Sequence, residues 1–413
     1  MKRNIKYFLF LSVLIVAIFS NTKIFAEEFW DIPAKQIVKS ATGAKIVSDT
    51  AGKNIYVAYA CISMNIEKSS DYGKSFSPSY QLSSGVYLPN ISTNDTGEYV
   101  YVIWAEDKKV FSSASSDKGV SFIDPIALFA GDVETIIQET NIITNSTGEI
   151  VYAIWVDDYD EINFRVSKDF GTRFSDVIKI AKGSNPHIIA DPSGKNIFIS
   201  FESDSIQVIS SSDYGSSFSK PIQLVKEGEN QTIAASLNTQ NVYVGWQDEN
   251  DNLELSASSD FGTNWYAPLT FPSDGSYSID LTTNSSGKYV YFVWNDANRN
   301  IHMRASTDYG KGFSTINLDE TGTYPKIVTD STGEYVFFIW LDSNYNMQFR
   351  ASTDFGVSFD PAIKLSNNPG SMFTYPGITI DDKGEFIHIL WNAQGGAINV
   401  IDGARLLSTK DSS

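Results

Sequence analysis

The chain has 413 residues, 42% of them hydrophobic and 13% aromatic, and sets 49 Asp and Glu against 31 Lys and Arg for a net charge of −18. That apolar content excludes disorder over most of the length, and the acidity opposes binding to nucleic-acid phosphates or anionic membranes. Cys61 is the single cysteine, which excludes an intrachain disulfide and a cysteine-built zinc site. The N-terminus reads Met-Lys-Arg-Asn-Ile-Lys, an apolar run follows from Tyr7 to Ser20, and Ile24-Phe25-Ala26 precedes Glu27-Glu28. This is the pattern of a secretory signal peptide over residues 1–26, cleaved after Ala26, and it predicts a secreted or periplasmic protein. The run falls short of the roughly 20 residues a helix needs to cross a bilayer; an uncleaved anchor is the alternative. Loss of Lys2, Arg3, Lys6 and Lys23 takes the mature charge to −22. No later stretch is apolar enough to span a membrane, so no stable insertion is expected after cleavage, and residues 27–413 read as one domain.

After a short apolar pattern at Gln36-Ile-Val-Lys39, the chain repeats itself. An octapeptide Ser-x-Asp-x-Gly-x-x-aromatic starts at Ser69, Ser115, Ser167, Ser211, Ser258, Ser306 and Ser352. Its aspartates, Asp71, Asp117, Asp169, Asp213, Asp260, Asp308 and Asp354, lie 46, 52, 44, 47, 48 and 46 residues apart, the length of a propeller blade. It closes on Phe76, Phe122, Phe174, Phe218, Trp265, Phe313 and Phe359. A second series runs in step: β-branched and aromatic runs ending at Tyr59, Trp104, Trp155, Phe201, Trp246, Trp294, Trp340 and Trp391. Each follows an Asn/Asp-rich turn, such as Asn145-Ser-Thr-Gly148, and another short apolar run, which are hairpin signals. One unit therefore reads strand, turn, strand, acidic loop, strand, octapeptide, strand.

The expected fold is all-β, a β-propeller of four-stranded antiparallel blades, because one such blade cannot cover both its faces and must stack until a ring closes. Eight units predict eight blades, with seven as the alternative if the last unit is a degenerate cap. Closure has two candidates. Gln36-Ile-Val-Lys39 sits where other units place a fourth strand, and Ala397-Ile-Asn-Val-Ile401, Asp402-Gly403 and Ala404-Arg-Leu-Leu407 read as a hairpin that supplies it locally.

The octapeptide resembles the Asp-box, or BNR, repeat of the sialidase-like β-propellers, and the resemblance covers nearly all of the mature chain. It implies a turn between the third and fourth strands of each blade. Asp71 and its equivalents suit that turn by accepting amides, and Gly73 and its equivalents by tolerating positive φ. The closing aromatics would enter the blade interface. The seventh position is Ser or Thr in the family; Arg173, Asn264 and Gly312 depart from it, and their turns are expected to be less tightly bonded. A feature copied into each blade serves what all blades share, so these aspartates read as turn staples rather than as a calcium or catalytic site.

The resemblance also implies what an active sialidase would need: three arginines on the substrate carboxylate, a Tyr/Glu nucleophile pair, an Asp acid/base and an Arg-Ile-Pro motif. Asp31-Ile-Pro33 stands here instead, and the mature chain keeps only Arg165, Arg173, Arg299, Arg304, Arg350 and Arg405. Arg165, Arg304 and Arg350 share one register two residues before the octapeptide serine, which predicts a shared structural job, and Arg299 alone falls on the plausible binding face. Nucleophilic triads and zinc sites need histidines, and His187, His302 and His388 lie in different units.

A ligand face is expected where the 2–3 and 4–1 loops gather. The 2–3 loops carry Asp107, Asp158, Asp248, Asp296 and Asp342, either as turn-starting residues or as a carboxylate ring for a cation. The 4–1 loops carry Tyr87, Tyr277, Tyr324, Phe373 and Tyr375, with Pro89, Pro325 and Pro376 beside them. Tyrosine faces near carboxylates suit sugars by stacking and hydrogen bonding, and the same rings could simply pack the channel mouth. The chain thus reads as a non-catalytic binding module for a glycan or a protein, with no cofactor, metal or nucleic-acid partner. The alternative is a glycosidase using two carboxylates ~5–10 Å apart.

Overall fold

A computed structural model describes residues 35–38, 41–61, 63–131, 136–366, 376–392 and 398–404. The leader, Phe373 and Tyr375 lie outside these, as does the side chain of Tyr277. The apolar runs of the sequence become the second strand of each unit, such as Ile55–Ala60, Val100–Glu106, Val151–Asp157 and Val290–Asp296, and these are buried nearly end to end. Alternate side chains point to opposite faces, and both faces are covered by a neighbouring sheet, so the strand reads as unbroken apolar sequence.

The described strands form eight four-stranded antiparallel sheets, and the chain is a β-propeller. Seven blades are local in sequence; the first is Thr42–Ser48, Ile55–Ala60, Ser63–Ser69 and Tyr80–Ser84 from axis to rim. The eighth combines Gly377–Ile380, Phe386–Asn392 and Ile398–Ala404 with the N-terminal strand Lys35–Val38, where Lys35 lies opposite Val400. The terminal segments therefore lie side by side. The expected hairpin at Asp402-Gly403 does not form, because Ile398–Ala404 runs as one strand paired through Phe386↔Ala404. A continuous third strand satisfies its backbone groups along Phe386–Asn392 and leaves its outer edge for the N-terminal strand.

Packing occurs between blades. Eight apolar clusters each join two consecutive blades, and the cluster holding Val57, Tyr59, Leu390, Ile398 and Val400 joins the eighth to the first. Each large apolar side chain so buried contributes about 1.5–3 kcal/mol.

The 1–2 turns link the ring through the backbone. The Thr50 amide donates to Asp95 O at 3.1 Å, Asp95 to Ser146, and Ser146 to Pro192. Leu237 donates to Ser285, Ser285 to Ser331, Ser331 to Asp382, and Asp382 back to Thr50 at 2.9 Å. The break falls at Pro192, which has no N–H to offer Leu237. Beneath these links, the hydroxyls of Tyr56, Tyr101, Tyr152, Tyr243 and Tyr291 donate to the turn carbonyls of Gly97, Gly148, Gly194, Gly287 and Gly333 in the following blade. In the closing seam, fully buried His388 takes the tyrosine's place, with Nε2 donating to Gly52 O at 2.8 Å.

The octapeptides form the 3–4 loops. In all seven, the serine hydroxyl donates to the aspartate Oδ1 at 2.7–2.9 Å and accepts the glycine amide at 2.8–3.0 Å. Each glycine from Gly119 onward lies under an aromatic ring of the preceding blade; a Cβ on Gly262, at φ +69°, would sit 2.5 Å from Phe198. The closing aromatics pack against the inter-blade clusters, as Phe218 does edge-on to Phe164 at 4.9 Å. The expectation of looser turns at unusual seventh residues needs correction. Arg173 Nε and Asn264 Nδ2 reach the aspartate Oδ2 at 2.8 and 2.6 Å, as the serines do elsewhere, and only Gly312 lacks the side-chain bond. Against partial burial, Arg173 and Ser167 draw Asp169 down to about 2, and Ser217 and Ser211 do the same for Asp213.

Candidate functional site

The inner strands line the axis, and one register position on each carries the residue that gives the channel its chemistry. Opposite the residue just before the closing aromatic of each second strand stand Lys45, Asn90, Asn141, His187, Thr232, Asp280, Lys326 and Gly377, one per blade. Backbone irregularity just before it shapes the mouth. The first seven inner strands slip register there, and five do so with a left-handed residue: Gly43, Leu88, Asn185, Asn230 and Tyr324, at φ 51–62°. Bulges of this kind re-aim side chains, and a bulky residue held left-handed costs about 1–2 kcal/mol that the surrounding packing must offset.

Lys45, Asn90, Glu139, Asn141 and His187 line a cavity of about 440 Å³ that opens along the axis, and Pro89 and Pro186 wall it. Asn185 is the hub of its rim. Its backbone amide donates to Glu139 Oε1 at 2.7 Å, its Nδ2 to Glu202 Oε1 at 2.8 Å, and its Oδ1 accepts His187 Nε2 at 3.2 Å. The Gln231 amide adds a bond to Glu202 Oε1 at 3.1 Å. Burial pushes the Glu139 carboxyl up, opposed by the Asn185 amide and reinforced by Glu202.

The other side of the channel is basic. Lys326 Nζ is paired with Asp280 Oδ1 at 3.1 Å, while Asp280 Oδ2 accepts the Ile327 amide. Lys45 is exposed toward the channel, but the surrounding blades enclose it, so desolvation first and the Lys326 ammonium second lower its pKa. Burial, then Lys326 and Lys45, hold His187 down at about 4, so its imidazole is neutral near pH 7.

The expected site residues are dispersed around this channel. Tyr87 is half-exposed at the mouth, and Tyr324 is one of the left-handed residues, packed against the cluster between the last two blades. Tyr277 lies on the inner strand Ser276–Thr283. At the rim, Asp248, Asp296 and Asp342 accept the amides of their own 2–3 turns, from Asn252 at 2.7 Å, Asn300 at 2.8 Å and Asn346 at 2.9 Å. His302 also donates to Asp296 at 3.0 Å. In the third blade Asp157 fills this role, with Asp158 beside it. Asp107 and Lys108 form a left-handed two-residue turn, and Arg299 sits exposed in the turn begun by Asp296.

Arg165 and Arg350 do share a structural job: each donates from Nη1 at 2.7 Å to a carbonyl of the preceding blade, Leu128 or Leu318. Arg304 instead lies over the rings of Phe271 and Trp294. Among the described residues, no three His, Cys, Asp or Glu side chains come together as a metal site requires. Lys45, Asn141, His187 and Glu139 escape sequence reasoning as a group because they are scattered over blades. The available signal was the x-Pro-x triplet, in which the residue after Pro89, Pro186 or Pro325 is the axial one.

No protein-family model matches the chain, and no curated relative does. Solved structures do resemble it. The WD40 domain of SCAP from fission yeast superposes with a TM-score of 0.56 at 10% identity, covering 92% of this chain and 94% of that one. Hydrazine synthase of Kuenenia stuttgartiensis gives 0.54 at 12% identity, covering 91% and 98%. At such identities the likeness is one of fold, and it agrees with the propeller built above. Among the described residues no helix is long and apolar enough to cross a membrane.

Proposed function

We propose that this chain is an exported binding module of the Asp-box, sialidase-like type that holds a glycan or protein ligand at the channel mouth without turning it over. The leader pattern and the seven octapeptides support export and type. One observation carries the site: residue types agree from blade to blade at the octapeptides and second strands, and diverge at the axial position that borders the cavity. Repeated residues serve the shared architecture, so ligand selection belongs where the repeat is broken. A glycan array and a peptide array probed with the intact protein test this. Asn141→Ala and Tyr87→Ala are expected to weaken capture at least fivefold, and Ser217→Ala on the opposite face to leave it unchanged. The reverse pattern would remove the mouth from consideration.

Glu139 and Glu202 favour one second reading, a two-carboxylate glycoside hydrolase. They share Asn185, and burial raises Glu139 toward the protonated form that a general acid needs. Turnover of fluorogenic neutral glycosides that disappears in Glu139→Gln would establish that reading over pure binding.

A further inference from the structure

We propose that the axial cavity binds a small carboxylate on the Lys45 ammonium, with the Asn141 amide as a second donor. This rests on the reading of the channel mouth as the ligand site and names the chemistry it selects. The argument begins with charge balance. The chain carries a net −18, yet the basic side of its channel holds two lysines. Lys326 is neutralised by Asp280 at 3.1 Å, and no carboxylate among the described residues lies within ion-pair distance of Lys45. Glu139 lines the same cavity but is committed to the Asn185 amide on the other side. The Lys45 ammonium opens onto the cavity without a counter-ion, and an anion brought to it between the enclosing blades gains the Coulomb attraction at a dielectric below that of bulk water.

Neighbouring groups define the anion further. Asn90 Nδ2 donates to Asn141 Oδ1 at 3.3 Å, which orients the Asn141 amide and leaves its N–H groups for a ligand. Glu202 fixes Asn185 with Nδ2 toward itself, so Asn185 Oδ1 must receive a proton from His187 Nε2, and the neutral imidazole adds no charge. Lys45 offers a single positive charge with no carboxylate paired to it among the described residues, which suits a monoanion. A phosphate dianion would exceed it, facing Glu139 and the acidic body of the protein. A carboxylate also pairs well with an ammonium and an amide donor. About 440 Å³ admits a monosaccharide-sized group. The carboxylate could belong to a uronic acid or to a simple organic acid, and the probes separate the two.

Calorimetric titration of the intact protein with glucuronate, acetate, glucose and inorganic phosphate tests this. Glucuronate and acetate are expected to bind, phosphate more weakly than either, with affinity falling as chloride is added. Glucuronate tighter than acetate would identify a sugar acid; equal affinities would identify the carboxylate alone. Lys45→Met should weaken carboxylate binding about tenfold or more, the loss of one charge-assisted bond, and Lys45→Arg should restore most of it. A readout free of any variant is the NMR resonance of 13C-dimethylated Lys45, whose titration should move to higher pH when acetate is added. Unchanged glucuronate affinity in Lys45→Met, or no saturable binding of either carboxylate, would overturn the proposal. In that event, continued capture of neutral ligands sensitive to Tyr87→Ala would leave the binding-module reading standing, and absence of both would end it.

Discussion

The two ends of the ring are made by the same repeating units and behave oppositely. At the octapeptide end, seven loops place serine, aspartate and glycine in one hydrogen-bond pattern, and seven of eight turn-to-turn backbone links close the circle. At the axial end, eight equivalent positions hold six residue types, and five inner strands carry a left-handed residue at the mouth. The first end is uniform because each seam poses the same packing problem. The second is free to vary because channel-facing side chains need not fill a neighbour's surface.

A pair of glycine substitutions would break this comparison most sharply. Gly262→Ala and Gly85→Ala both place a side chain at positive φ, but a Cβ at Gly262 meets the Phe198 ring at 2.5 Å and one at Gly85 meets nothing within 4 Å. Denaturant unfolding should show a loss of about 3 kcal/mol or more for Gly262→Ala and about 1–2 kcal/mol for Gly85→Ala. Equal losses would mean that the octapeptide end is no more tightly packed than the mouth.

Next in size is a pH effect that belongs to the mouth. His187 titrates at about 4 in the folded chain against an ordinary 6.5, so the unfolded chain binds the extra proton as pH falls from 6.5 to 4. Stability is therefore full above pH 6.5 and declines through that window, by up to about 3 kcal/mol, an upper bound because His187 is only partly buried. The groups acting on His187 are Lys45 and Lys326, with Asn185 as its hydrogen-bond partner and Glu139 and Glu202 beyond. His187→Gln should flatten the pH 4–6.5 segment of the unfolding profile. The octapeptide carboxylates act later: Asp169 and Asp213 lie at about 2, so their contribution is present above the ordinary aspartate range and lost as pH falls from about 4 to 2.

The smallest effect concerns the one incomplete octapeptide. Gly312 does not require positive φ, and a Cβ there meets only Asp308 Oδ2, at 3.5 Å. Gly312→Ser should supply the missing hydroxyl bond and raise stability by about 0.5–1 kcal/mol, and Ser217→Gly should cost a similar amount. A thermal-unfolding shift of opposite sign in either variant would contradict the account of the loop.

Much of this was legible in the chain. Period, second-strand aromatics and octapeptides identified the blades because local pattern and inter-blade packing ask for the same residues. The ring closure was ambiguous, since Ile398–Ala404 and Lys35–Val38 are both good strands and only their pairing shows that one is third and the other fourth. The seventh-position residues misled because residue type alone does not reveal that Arg173 and Asn264 reach the same oxygen as a serine. The rim aspartates were legible as turn-starting residues, and Asp248, Asp296 and Asp342 do accept the amides of their own turns.

By itself the sequence determined an all-β chain of repeated four-stranded units, because alternation, turn residues and period are local properties written once per blade. Only the tertiary structure decided what meets at the axis. Lys45, His187 and Lys326 come from three blades, and the two ammonium groups act on each other and on the imidazole only after the ring has closed around a shared channel.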